Sequence, residues 1–235
     1  RELLGKSSNM QLVKRALSMK ASDADVLASS FTTFRREEFW TAQPVPWEII
    51  LHDQEPPAYV FPEPDLLWTL VAVYFERVNC LAPILHRPTF EAGVREGRHL
   101  RDRPFASVML MVCAVASRQT DDTRVLLEGS NTFRSAGWKW FNQVQMINKS
   151  ILACPTLYDL QLRCLYGLYL PGSSVPQAAW SAVGQGLQMA QDVGAHQKRF
   201  YGNRVTLLAE LWKRAFWHVL IIALYRSCLS HNSDS

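Results

Sequence analysis

Residues 66–90 read LLWTLVAVYFERVNCLAPILHRPTF. Leu67, Leu70, Val71, Tyr74 and Val78 recur at steps of three and four, the spacing that lines one face of an α-helix with apolar side chains. Pro64 suits a first helical turn, where its missing N–H leaves nothing unpaired, and Pro83 cannot continue a helix interior. The spacing therefore predicts a core helix from about Pro64 that stops by about Leu81. Ile84 to Phe90 then joins two helices in an extended passage. A residue before proline is pushed away from the helical region, and Pro88 can open the next helix, which should run to about Gly97.

Outward from this stretch the pattern stays helical. Upstream, Ser7 or Ser8 can cap a helix to about Lys20, with Leu12, Val13, Ala16, Leu17 and Met19 as its apolar stripe. Residues 21–63 carry Pro44, Pro46, Pro56, Pro57 and Pro62 among many aromatic rings, which predicts an arm lying against the body. Downstream, Pro104 opens a helix to Ser117 with Val108, Met111, Val112 and Val115 inward. Ser135 can cap a helix carrying Trp138, Phe141, Val144 and Ile147 on one side, with Trp138 and Trp140 on nearly opposite faces. Thr156 with Asp159, and Ser174 with Gln177, look like capping boxes. The helix after Ser174 places Trp180, Val183, Leu187 and Ala190 on one face, and Gly184 and Gly186 would let a neighbour approach closely. The last helix should begin between Asn203 and Thr206 and bury Leu208, Leu211, Trp212, Ala215, Val219, Ile222 and Ala223.

About eight helices, no alternating strand pattern and no regular repeat point to an all-α fold. The expected architecture is an irregular multi-helix bundle with a proline- and aromatic-rich N-terminal arm. Residues 1–63 form the first helix and arm, 64–228 the helical body and 229–235 a polar tail.

The 235 residues are 48% hydrophobic and 20% charged, which suits one folded core and not a disordered chain. A formal charge of +4 is too small to be a footprint for DNA. Cys80, Cys113, Cys154, Cys164 and Cys228 are widely spaced, with no C-x-x-C pair, so neither a disulfide framework nor a structural zinc site is expected. The apolar run from Val219 to Tyr225 is too short to span a bilayer. RELLGKSSNM lacks an initiator Met and the apolar core of a signal peptide, and so reads as a segment of a longer polypeptide.

Several residues invite a chemical role, and each has a plainer one. His86 and Arg87 would suit an anionic effector, yet capping carbonyls or pairing with a carboxylate such as Glu76 is the commoner arrangement. Cys80 and His86 are two metal ligands without a second pair. Trp138, Trp140, Trp180, Trp212 and Trp217 would line a ligand cavity or simply fill the core. Lys198, Arg199, Arg204, Lys213 and Arg214 form a basic neighbourhood around a helix start, and Arg95, Arg98, His99, Arg101 and Arg103 read as a solvated turn. Asp121 and Asp122 are adjacent and need not converge on one atom. There is no G-x-S-x-G, and Gly184-Gln185-Gly186 follows no strand. No catalytic, cofactor-binding or metal-binding residue is assigned.

The words YFERVN at 74–79 and PILHRPTF at 83–90 resemble the opening signature of the fungal-specific transcription factor domain, the middle homology region of six-cysteine zinc cluster regulators. GKSSNMQLVKRALSMK, RREEFW, PWE, SAGWKWFNQVQ, YDLQL, GSSVPQAAW through AQDVGAH, and ELWKRAFW resemble further landmarks in the same order, over residues 3 to about 217. The resemblance singles out Tyr74, Phe75, Pro83, Leu85, Pro88 and Phe90 as a packing hinge, with His86 and Arg87 as hydrogen-bonding support. Trp212, Arg214, Phe216 and Trp217 are the matching positions near the end. It implies a regulatory, non-enzymatic domain of a nuclear transcription factor. DNA and zinc would then belong to a separate cysteine cluster outside this chain. Partners would be other domains of the regulator, the transcription machinery or a small-molecule effector, with no membrane and no oligomeric state indicated. After Trp217 the sequence departs from the family: the expected aspartate and Gly-Arg-Pro turn are missing. A truncated domain would leave Val219, Ile222 and Ala223 partly exposed. The competing readings are a helical interaction module or degenerate regulator without DNA binding and, with less support, an enzyme built in a helical cavity.

Overall fold

The computed structural model describes residues 58–144, 154–173, 177–202 and 206–231, with side chains as far as 224. All lie in one compact unit spanning Ala58–Ile147 and Cys154–Ser235. The expected first helix and most of the expected arm lie outside these residues, as do Ile147, Ser174 and Arg204. Among the described residues there are seven α-helices and no strand.

Helix α1, Pro64–Val73, starts with its proline in the first turn and buries Leu66, Leu67, Leu70 and Val71. It continues into a π-helical turn, Tyr74–Val78, in which the Asn79 amide bonds the Tyr74 carbonyl at 2.8 Å. The spacing does not reveal this wider turn. It rotates the chain so that Phe75 is buried beside Tyr74. Helix α2, Arg87–Arg95, follows the extended His86. Helix α3, Arg103–Ser117, is capped by the Asp102 side chain at the Phe105 amide. Only one inward face was expected for it, but every residue from Phe105 to Ser117 is buried. The run FASVMLMVCAVAS is apolar on all sides because the helix is the axis of the core. It packs against α1, α4 and α5.

Helix α4, Trp138–Phe141, is a single turn, shorter than the expected helix, and Ser135 does not cap it. Gly137 precedes it at φ 80°, and a Cβ there would sit 2.5 Å from the Ala114 carbonyl oxygen of α3. Glycine is required by both the conformation and the contact. Ser135 is buried instead, donating to the Thr132 carbonyl at 2.8 Å and accepting from the Leu127 amide at 3.3 Å. Tertiary bonds tie the flanks of α4 to the next helix: Tyr169 donates to the Ala136 carbonyl at 2.8 Å and Tyr166 to the Val144 carbonyl at 2.6 Å. As expected, Trp138 and Trp140 are both packed, Trp140 in the core and Trp138 against Phe141 and Tyr169.

Helix α5, Leu157–Tyr169, begins with the predicted capping box, Thr156 and Asp159 each bonding the other's backbone amide. It packs on α3, on α6, Ala178–Asp192, and on α7, Leu207–His231, and the last two also pack on each other. Gly186 makes this junction possible, since a Cβ there would lie 2.9 Å from Arg163 Cβ and 3.4 Å from Val219 Cγ2. Gly184 plays no such part and faces open space. Trp180, expected inside, is 49% exposed. Val219 is fully buried, as the period of the last helix predicts, Ile222 and Ala223 are half-buried, and Leu208, expected inside, is 59% exposed. Trp217, Ile221 and Leu224 form an exposed apolar stripe on α7 at steps of four and three.

Upstream of α1, residues 58–63 run without regular structure along the body. Gln143 bonds both backbone groups of Val60, the Tyr59 and Ser107 hydroxyls meet at 2.8 Å, and Arg103 lies 4.1 Å over the Tyr59 ring.

Candidate functional site

The junction between the π turn and α2 is held by one side chain. Asn79 Nδ2 donates to the Leu85 carbonyl at 3.2 Å and its Oδ1 accepts from the Leu85 amide at 3.1 Å. The loop 80–85 is thereby closed on both polar groups of a buried residue. Inside the loop, Ala82, Ile84 and Leu85 are buried, and Leu81 and Pro83 face solvent. Pro83 and Pro88 thus do not pack as the hinge reading supposed; both are exposed and act through backbone shape. His86 Nδ1 lies 3.0 Å from Thr89 Oγ1, and the His86 carbonyl accepts the Phe90 amide at 3.0 Å.

Arg87 does not pair with Glu76. It bonds Glu91 one turn along α2 at 2.7 Å, and Arg95 bonds the other oxygen of the same carboxylate at 2.8 Å. The Arg87 hydrogen bond holds Glu91 below the usual carboxylate range. Arg87 also lies 5.7 Å over the Phe75 ring.

Under this polar rim the rings form a relay. Tyr74 meets Phe75 at 5.2 Å, Phe75 meets Phe90 at 5.7 Å, Phe90 meets Phe105 at 5.3 Å and Phe105 meets Tyr158 at 6.2 Å. One contiguous stack ties the π turn, α2, α3 and α5 together. The Tyr74 hydroxyl is buried without a hydrogen-bond partner, and burial raises its pKa.

Beside the relay opens a crevice of about 210 Å³ between the junction and the start of α7. Leu85, His86, Thr89 and Phe90 form one side and Leu207, Leu208 and Leu211 the other. Gln161 of α5, only 2% exposed, lines it as well. Its Nε2 reaches the Ile84 carbonyl at 3.4 Å, and its Oε1 has no partner. Arg98, ion-paired with Asp102 at 2.7 Å, closes the rim over Phe105 and Tyr158.

The two groups of residues singled out in the sequence meet only partly. The junction residues are one unit, but near the end the crevice takes the leucines of the first turns of α7 and none of the four chosen residues. Trp212 is buried edge-on against Phe200 at 5.5 Å, Phe216 is half-buried, Arg214 is exposed and Trp217 is 57% exposed. The sequence reading missed Asn79 and Gln161. Gln161 left a signal, because it falls on the buried face set by Leu157, Leu160, Cys164 and Leu165, where an amide interrupts an apolar period.

Among the described residues no three His, Cys, Asp or Glu side chains converge as a metal site. Cys80, Cys113, Cys154 and Cys164 are free thiols, and burial pushes Cys113 up to about 12. Asp122 caps the turn Thr123–Val125 and is held low by Arg124. Lys213 is paired with Glu210 at 2.7 Å, an ordinary surface arrangement. The chemistry on offer at the junction is packing, hydrogen bonding and ligand or partner contact.

The model of the family described as "Fungal specific transcription factor domain" matches residues 71–231, more than half of the chain. Two curated relatives are similar to it. The C6 finger domain transcription factor nscR of Aspergillus fumigatus is 24% identical over 193 residues, 73% of this chain and 24% of that protein. The transcriptional regulator AacuB of Aspergillus aculeatus is 22% identical over 160 residues, 66% of this chain and 22% of that protein. The chain thus spans under a quarter of the length of these relatives. No solved structure matches it.

Proposed function

The chain belongs to the fungal specific transcription factor domain family, and on that premise we propose that it is the regulatory body of a longer transcription factor whose DNA-reading zinc cluster is a separate module. The match over residues 71–231 carries this reading, since it spans the junction, the ring relay and the last helix as one unit. The name of one relative includes a C6 finger. The five widely spaced cysteines of this chain do not have the spacing of such a cluster, so zinc and DNA contact are assigned to the other module. On this reading the body acts through contacts, with other domains of the regulator, the transcription machinery or a small effector as partners, and it does so in the nucleus. No helix among the described residues is long and apolar enough to cross a membrane.

The relay gives such a body a way to respond. A displacement of α2 moves Phe90, and with it the packing of Phe75 on one side and Phe105 on the other. The test is a fusion of the 235 residues to a heterologous DNA-binding module driving a reporter. Output should differ from that of the DNA module alone, and Asn79→Ala should change it further at equal protein level. Equal output from all three would overturn the reading. The isolated chain should show no salt-sensitive, sequence-selective DNA binding in a shift assay.

A further inference from the structure

A second cavity, of about 740 Å³, lies away from the junction, between residues 60–63, the stretch from Thr123 to Phe133 and α4. Its volume falls within the roughly 300–1,000 Å³ of small-molecule sites. Phe61, Phe133 and Trp140 supply ring surface, and Lys139, Glu128 and Ser130 supply polar groups. Lys139 donates to the Arg124 carbonyl and lies 4.7 Å from the Trp140 ring centre. It has no ion pair with a described carboxylate, so an ammonium with three donors retains capacity for a ligand oxygen. Partial burial lowers its pKa.

The charge balance selects the ligand. Arg124 is already engaged by Asp65 at 2.7 Å, Asp122 at 2.8 Å and Glu63 at 3.4 Å. Two carboxylates, Glu63 and Glu128, and two cations, Arg124 and Lys139, line the cavity, and Asp65 and Asp122 stand behind Arg124 as its ion-pair partners. An anion would meet an excess of negative charge, and a cation would meet Lys139 and Arg124 at the wall. A neutral molecule with both an acceptor and a donor meets neither penalty.

We propose that this cavity binds a neutral, planar, hydroxylated aromatic ketone, its carbonyl oxygen accepting from Lys139, its hydroxyl donating to Glu128 and its ring packed among Phe61, Phe133 and Trp140. Occupancy is coupled to the chain that precedes the body. Val60 and Phe61 belong to the segment leading in from residues 1–57, and Gln143 holds Val60 by its amide at 2.6 Å and its carbonyl at 3.0 Å. A ligand seated against Phe61 adds to that hold. The proposal gives the effector of the regulatory reading a place and a chemical class, and rests on that reading only for its consequence in transcription.

The test uses the 235-residue chain and three naphthalenes matched in size: 6-hydroxy-2-acetylnaphthalene, 2-naphthoate and 2-naphthylmethylammonium, titrated at neutral pH by calorimetry and fluorescence. The hydroxy ketone should bind saturably below about 100 µM and at least tenfold more tightly than either ion. Lys139→Met and Phe133→Ser should each weaken it about tenfold or more with helical circular dichroism unchanged; Phe133 is half-exposed, so that variant keeps the fold. Hydrogen exchange at the Val60 amide should slow on binding. Tightest binding by either ion, no saturable binding up to 1 mM, or wild-type affinity in Phe133→Ser would overturn the proposal, whatever the reporter fusion shows.

Discussion

The junction from Tyr74 to Phe90 and the outer face of α7 are built from the same kinds of residue and end in opposite states. At the junction Tyr74, Phe75, Leu85 and Phe90 are buried, their rings run edge to face, and the Leu85 backbone is closed by Asn79. On α7, Trp217, Ile221 and Leu224 are 57%, 59% and 57% exposed, while Val219 between them is fully buried. The difference lies in what packs against each. The junction is wedged among α1, α2, α3 and α5, whereas the main helix partners of α7 are α5 and α6. Large apolar side chains stabilise a fold only where a second surface removes them from water.

Four measurements break or sharpen this contrast. Phe90→Ala removes the middle ring of the relay and should cost about 3–5 kcal/mol in denaturant unfolding. A loss under about 1 kcal/mol would put the junction in the same class as the outer face of α7. Asn79→Ala strips the Leu85 amide and carbonyl of their partners in a buried loop and should cost about 1–3 kcal/mol. Asn79→Asp, which keeps the acceptor but loses the donor, should fall between wild type and alanine; equal stability in all three proteins would show that backbone shape alone closes the loop.

Tyr74→Phe runs the other way. It deletes a buried hydroxyl that has no partner and keeps the ring, so the chain should gain about 1 kcal/mol. A loss of that size would mean that the hydroxyl is bonded in solution. The smallest effect belongs to the other region: Trp217→Ser should change stability by less than about 0.5 kcal/mol and reduce binding of an apolar dye. A loss above about 2 kcal/mol would show that this face is covered in solution.

Much of the fold was legible because caps and periods are local. Pro64 in the first turn, the Thr156–Asp159 capping box and the helix opened by Pro88 all stand where the spelling placed them, within a residue or two. The short α4 was not legible. Trp138, Phe141 and Val144 have helical spacing, but the Ala136 and Val144 carbonyls are taken by tyrosines of α5, a partner more than twenty residues away. At the junction, Phe75 and Phe90 could be chosen from a resemblance of words. The reach of Asn79 around a six-residue loop, and the Arg87 pairing with Glu91 instead of Glu76, depend on where the chain turns.

By itself the sequence determined that this chain is helical, where most of the helices begin and which family it resembles, because hydrogen bonding within a helix and capping at its ends depend on neighbours in the chain. Tertiary structure alone decided which faces are covered. Only packing could make α3 buried on every side, turn Trp217 outward, choose Gly186 over Gly184 as the point where helices meet, and leave a crevice beside the junction and a larger cavity beside the incoming chain. A helical period marks an apolar stripe, but the second surface that buries it comes from residues far away in sequence.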